Sequence, residues 1–138
     1  MRILLITNDW LPKKGGISTY LTNLVSSVDH EFTIYAPSWA EGDDVINSSS
    51  SFFLNSKDTI KEISDIIKNK NIDIILHGSS NPQFLLIDKL DQISNINSPK
   101  NIKIPQFMIC HGAEFNVLNY IPSVSYTHLR AHETRGNL

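Results

Sequence analysis

The chain is predicted to be an α/β protein with a doubly wound parallel sheet. Three observations predict this: short apolar runs alternate with stretches of helical period, a Gly-Gly pair separates the first run from the first helical stretch, and polar clusters follow three of the runs. With 138 residues there is enough chain for one domain with a core and too little for two. Hydrophobic residues at 41% and charged residues at 19% exclude a disordered or fibrous chain.

The elements follow in order. Ile3-Leu4-Leu5-Ile6 reads as a strand buried on both faces. After the turn Pro12-Lys13-Lys14-Gly15-Gly16, the residues Ile17, Tyr20, Leu21, Leu24, Val25 and Val28 recur at spacings of three and four, which gives a helix one apolar face. Phe32 to Ala36 is rich in β-branched and aromatic residues and is closed by Pro37, so it reads as a second strand. Ser38 to Ser51, with Gly42, two aspartates and a run of serines, reads as a loop, and Phe52-Phe53-Leu54 as a short third strand.

Asp58 to Asn69 carries Ile60, Ile63, Ile66 and Ile67 on one helical face, with Ser56 as the expected N-cap. Ile72 to Leu76 reads as a fourth strand running into His77-Gly78-Ser79-Ser80. Pro82 suits the first position of a helix reaching Ile93, with Phe84, Leu85, Ile87 and Leu90 on one face. Ile104 and Phe107 to Cys110 give a fifth strand that ends at His111-Gly112. Right-handed crossovers then predict the order 3-2-1-4-5, with the ligand crevice beyond the carboxyl ends of strands one and four. Asn8 to Gly16, His77 to Ser80 and His111 to Glu114 converge there.

Each cluster has two readings. Gly15 and Gly16 either let backbone amides approach a phosphate at the positive end of a helix or only make a tight turn. The string is neither GxGxxG nor GxxxxGK[ST], which counts against ordinary NAD and ATP binding. Asp9 can accept hydrogen bonds from substrate hydroxyls. Lys13 and Lys14 either screen phosphate charge or form a solvated loop. His111 either donates to a sugar or phosphate oxygen, with Glu114 binding hydroxyls or orienting it, or is structural. His77 is expected to line the crevice. Ser79 and Ser80 lack a G-x-S-x-G elbow and read as caps of the next helix. No second histidine with a carboxylate sits at metal-ligand spacing, so no metal site is expected.

The net charge of −2 and the scattered lysines argue against nucleic acid as a partner. The single cysteine, Cys110, sits beside Met108 and Ile109 and reads as a buried thiol in a reducing compartment, with the cytoplasm as the expected location. Met1 to Ile6 is too short and too quickly followed by Thr7-Asn8-Asp9 to be a signal peptide or a membrane span.

The opening stretch from Met1 to Tyr20 strongly resembles the start of family-4 retaining glycosyltransferases with the GT-B fold, nearest to the phosphatidylinositol mannosyltransferase-like branch. Ile72 to Gly78 is similar to that family's fourth strand. His111-Gly112-Ala113-Glu114, followed by Val117-Leu118 and Ile121-Pro122, is similar to its acceptor loop. The resemblance covers about Met1 to Ser123 and implies a Rossmann-like N-terminal, acceptor-side domain of a two-domain enzyme.

It further implies a nucleotide-diphosphate sugar as donor substrate with no cofactor, retention at the anomeric carbon, no metal requirement, and a glycan or lipid-linked acceptor. Gly15 and Gly16 would face the donor diphosphate. His111 would stand by the transferred sugar as the catalytic residue, and Asp9, Lys14, His77 and Glu114 would lie on the acceptor side. The chain departs from the family pattern in its extent. The second domain, with its basic residues and paired-glutamate motif, is missing, and so are the last units of the first. The parent enzyme would associate peripherally with the inner membrane face, although no amphipathic basic helix supports this.

Residues 124–138 are read separately, because Ser125-Tyr126-Thr127-His128-Leu129-Arg130-Ala131-His132-Glu133-Thr134 resembles translated sequencing-adapter DNA at the end of a truncated frame. This leaves 1–123 as the truncated domain and sets His128 and His132 aside. On this reading the fragment alone is inactive. Two alternatives stand beside it: a non-catalytic nucleotide- or anion-binding Rossmann-like module, and a fragment whose unfinished sheet prevents stable folding.

Overall fold

A computed structural model describes residues 1–49, 57–79, 86–87, 89–90 and 103–111. The expected strand at Phe52-Phe53-Leu54, the Ser56 cap, the ends of the expected 82–93 helix, Glu114 and the 123/124 boundary lie outside these residues. The described elements run β1 (Arg2–Ile6), α1 (Gly16–Ser27), β2 (Glu31–Ala36), β3 (Val45–Asn47), α2 (Lys57–Lys70), β4 (Ile74–His77) and β5 (Gln106–Met108). Residues 86–87 and 89–90 are helical, within the stretch where Pro82 to Ile93 predicts a helix.

All four strand pairings are parallel and the order is β3-β2-β1-β4-β5. This is the expected Rossmann-like α/β sheet. β1 is central, and its four residues Ile3 to Ile6 are buried, as a strand covered on both faces must be. Alternation divides them. Leu4 and Ile6 pack with Ile63, Ile67, Ile75 and Leu90 on the α2 side, whereas Ile3 and Leu5 pack with Leu21, Phe32 and Ile34 on the α1 side. Each of these apolar side chains contributes about 1.5–3 kcal/mol by leaving water.

One expectation is corrected. The third strand is Val45–Asn47, inside the stretch read as a loop. Val45 and Ile46 are too brief a run to show periodicity; the strand exists because the free edge of β2 supplies partners. Ile34 stands opposite Val45 and Tyr35 opposite Ile46, and the bonds Ile34 N to Asp44 O and Ser48 N to Ala36 O close the ladder at both ends. Asn47 then donates from Nδ2 to the carbonyls of Pro37 and Ala40, both at 2.9 Å, and fixes the connection between the strands.

α2 ends where Asn71 takes a left-handed φ of 51° and Ile72 N–H returns to the Ile67 carbonyl. On the same side of the sheet, Tyr35 OH donates to Glu62 Oε1 at 2.7 Å, and the Ser49 backbone N–H and hydroxyl both donate to the Glu62 carboxylate. Burial pushes the Tyr35 phenol well above its ordinary value. Burial also pushes Glu62 upward, but the bonds from Ser49 and Tyr35 outweigh it and hold the carboxyl below its ordinary value.

Candidate functional site

The carboxyl end of β1 leads into a turn closed by Thr7, whose Oγ1 accepts from Asp9 N at 3.0 Å and donates to Asp9 O at 3.2 Å. This holds the Asp9 carboxylate at the sheet end, half-buried and 3.5 Å from Lys13 Nζ. The Leu11–Pro12 peptide is cis. Lys14 is exposed and pairs with no carboxylate among the described residues.

Gly15 is the N-cap of α1 in an extended conformation that any residue adopts, and no side chain caps the helix. A Cβ built on Gly15 or Gly16 would meet nothing within 4 Å. Neither the backbone of Gly15 nor its neighbours require glycine there. What the two glycines provide is open access to the first-turn N–H groups, which in any helix lack intrahelical acceptors and carry the positive end of the dipole. Ser18, buried in that first turn, has an Oγ with no hydrogen-bond partner among the described residues.

His111 lies just beyond β5 and reaches across to β4. Its Nε2 is 2.8 Å from the Gly78 carbonyl oxygen, and since a carbonyl only accepts, Nε2 carries the proton. The imidazole also meets Tyr20 of α1 edge to face. Gly78 is wedged under α1: a Cβ there would lie 2.8 Å from Leu21 Cδ1 and 2.9 Å from Thr7 Oγ1. The ends of β1, β4 and β5 and the first two turns of α1 are therefore packed as one unit.

His77 is corrected. It does not line the crevice; it is fully buried within β4. Its register partners are Ile6 and Met108, and strand alternation sets it with Ile75 on the face covered by α2. Nε2 lies 2.9 Å from Gln106 Oε1, and Gln106 Nε2 donates to the Ile87 carbonyl at 3.0 Å. Since the Gln106 amide nitrogen is committed to Ile87, its oxygen accepts and His77 Nε2 donates. The relay ties β4 to β5 and to the helical residues 86–87. A histidine at the end of an apolar run looks the same in sequence whether it faces solvent or a helix.

The structure thus brings Asp9, Gly15, Gly16 and His111 to one end of the sheet, leaves Lys14 in solvent beside them and withdraws His77. Tyr20, Gln106 and Ser18 were not singled out from the sequence. In the sequence Tyr20 is one member of an apolar stripe, and Gln106 stands alone between Pro105 and Phe107 with no pattern around it. Among the described residues no group of three His, Cys, Asp or Glu can hold a metal, and no helix is long and apolar enough to cross a membrane. At the opposite end of the sheet lies an open hollow lined by Met1, Arg2, Asp29, His30, Glu31 and Asp73, and contacts among these residues include the Arg2–Glu31 pair at 3.5 Å and the bond from Arg2 N to Asp73.

No protein-family model matches the chain. It is similar to the GDP-mannose-dependent alpha-(1-6)-phosphatidylinositol monomannoside mannosyltransferase of Mycobacterium tuberculosis, in strain CDC 1551 / Oshkosh and in strain ATCC 25618 / H37Rv. With each it is 32% identical over 100 residues, covering 62% of this chain and 26% of the relative. With the protein of the same name from Mycolicibacterium smegmatis it is 28% identical over 97 residues, covering 61% of this chain and 25% of the relative. The chain spans about a quarter of the length of the curated relatives it matches.

Proposed function

We propose that the chain is the N-terminal, acceptor-side half of a GT-B glycosyltransferase of family 4. Its parent transfers a sugar, mannose by analogy with the names of the relatives, from a nucleotide-diphosphate donor to a lipid-linked or saccharide acceptor. The observation that carries this reading is the uncapped, open first turn of α1 standing beside His111. Tyr20, which holds the imidazole, follows Gly16 by one helical turn, about 6 Å along the axis.

In this reading Gly15 and Gly16 admit the diphosphate and His111 stands at the transferred sugar, while Asp9, Lys14 and Glu114 serve the acceptor. His77 has a structural role instead. Transfer proceeds with retention and without a metal, the parent works in the cytoplasm at the inner membrane face, residues 1–123 are the domain, and 124–138 are not native to it. The chain alone is inactive, because most of the groups that stabilise the departing diphosphate belong to the second domain.

The test is to recover the reading frame beyond Ser123 and assay the product for sugar transfer from GDP-mannose and other nucleotide sugars, in the presence of a metal chelator. Transfer by the intact protein and none by the 138-residue chain is the expected result. An intact protein that transfers no sugar overturns it. The open helix end by itself also favours a simple anion-binding module, which differs in that the 138-residue chain would bind a nucleotide tightly unaided.

A further inference from the structure

Trp39 stands at the carboxyl end of β2, next to the turn that carries Asp9 and Lys13, and its side chain is left in solvent. The chain has two tryptophans. Trp10 is 6% exposed and belongs to the core, whereas Trp39 is 42% exposed. The exposure of Trp39 is not that of a loose loop. Pro37 and Ala40 on either side are buried, Ala40 N–H donates to the Pro37 carbonyl, and both carbonyls accept from Asn47. Glu41 N–H donates to the Leu11 carbonyl at 2.9 Å and joins this turn to the one after β1. The fold therefore holds a large apolar ring out of the core on a fixed support, where ordering it costs a ligand little.

The ring has polar company. Lys13 Nζ lies 6.0 Å from the Trp39 ring centroid and 3.5 Å from Asp9 Oδ1, so one ammonium spans the aromatic ring and the carboxylate. A flat apolar face beside one acceptor-only group and one donor-only group suits a ring that is apolar on its C–H face and carries hydroxyls around its edge. We propose that Trp39, Lys13 and Asp9 form a subsite for a polyol ring, a cyclitol or hexose of the acceptor. The ring stacks on the indole, its hydroxyls donate to Asp9 and accept from Lys13, and Lys13 leaves the indole face as the ring arrives. This rests on the acceptor-side reading above and assigns it a residue, Trp39, outside the glycine turn and the His111 loop.

A lipid surface is the competing occupant, since exposed Leu11 and two lysines lie close by. The Asp9 carboxylate is held beside the same ammonium, however, and a carboxylate is repelled by an anionic bilayer surface. The arrangement favours a small neutral polyol.

The experiment follows acrylamide quenching of tryptophan emission in the 138-residue chain while myo-inositol or methyl α-mannopyranoside is added, with ligand-observed NMR giving Kd. Trp39 supplies the accessible emission and Trp10 the shielded emission, which also reports whether a variant stays folded. Saturable protection of the accessible component is expected. Trp39→Ala should raise Kd at least tenfold with the Trp10 emission unchanged, and Trp39→Phe should keep most of the affinity. If the chain binds the polyol and Trp39→Ala binds it equally well, this inference falls and the acceptor-side reading stands. If the chain binds neither polyol at molar concentration, the subsite falls, and the acceptor-side reading is judged separately by sugar transfer in the intact protein. Trp39-dependent partition onto phosphatidylglycerol vesicles without polyol binding overturns the subsite and gives the residue to a lipid surface.

Discussion

The imidazole of His111 meets the ring of Tyr20 edge to face, with centroids 5.8 Å apart and planes at 84°, while its Nε2 proton is held 2.8 Å from the Gly78 carbonyl. Two elements far apart in sequence thus fix one ring in position and in tautomer. On the proposed reading, His111→Ala should lower kcat of the intact protein by about 10²-fold or more. The same change should cost the fold about 1–3 kcal/mol, from the lost hydrogen bond and the lost ring contact with Tyr20. Steady-state kinetics alongside urea unfolding separates the two effects. A loss of activity no larger than the loss of stability would place His111 among the structural residues.

Gly16 gives the cleanest separation of fold from function. A Cβ there meets nothing and the residue lies in the first turn of α1, so Gly16→Ala should leave stability unchanged or raise it by up to about 1 kcal/mol. Donor binding by the intact protein should weaken at least tenfold, because the methyl group enters the space that leads to the helix end. Thermal unfolding and nucleotide-sugar titration of the same variant check both halves.

Gly78→Ala should do the reverse. The added methyl group would press on Leu21 and Thr7, whose nearest atoms lie at 2.8 and 2.9 Å, and neither can retreat within a packed sheet end. A loss of about 1–3 kcal/mol is expected by chemical denaturation.

Gln106→Ala removes both hydrogen-bonding groups of the relay between His77 and the Ile87 carbonyl. Each buried group that loses its partner costs about 1–3 kcal/mol, so a loss of about 2 kcal/mol or more is expected. Unfolding midpoints of Gln106→Ala and Gln106→Glu test this, since glutamate keeps the acceptor for His77 and lacks the amide donor to Ile87.

The Tyr35–Glu62 contact predicts stability loss at both extremes of pH. The Glu62 carboxyl is held below its ordinary value, so its contribution is present above that value and is lost as the pH falls through the lowered folded-state value. The Tyr35 phenol is held above its ordinary 10.0, so its contribution is present below pH 10 and is lost as the pH rises beyond it. Unfolding measured from pH 3 to pH 11 should show both flanks. Glu62→Gln should flatten the acid flank and leave much of the alkaline one, since burial is the largest cause of the Tyr35 shift.

Much of the fold was legible because burial writes periodicity into a chain. Ile3 to Ile6 is apolar at every position since the central strand is covered on both faces, and α2 carries isoleucine at helical spacing since one of its faces is. The order of strands two, one, four and five followed from parallel pairing with right-handed crossovers and helices on both faces. Val45–Asn47 was not legible, because two apolar residues make no pattern and the strand is induced by the edge of β2.

At the site, the sequence by itself determined which kinds of group arrive at the sheet end: a glycine pair before a helix, a carboxylate after β1 and a histidine after β5. It did not determine where they face. His77 and His111 both follow apolar runs, yet strand parity turns one into the core, and only the other meets Tyr20 at the crevice. Trp10 and Trp39 are the same residue type in neighbouring turns, one buried and one held in solvent. Local spacing sets which backbone conformation a segment adopts, but the choice between facing a helix and facing water depends on elements tens of residues away, and only the assembled sheet makes it.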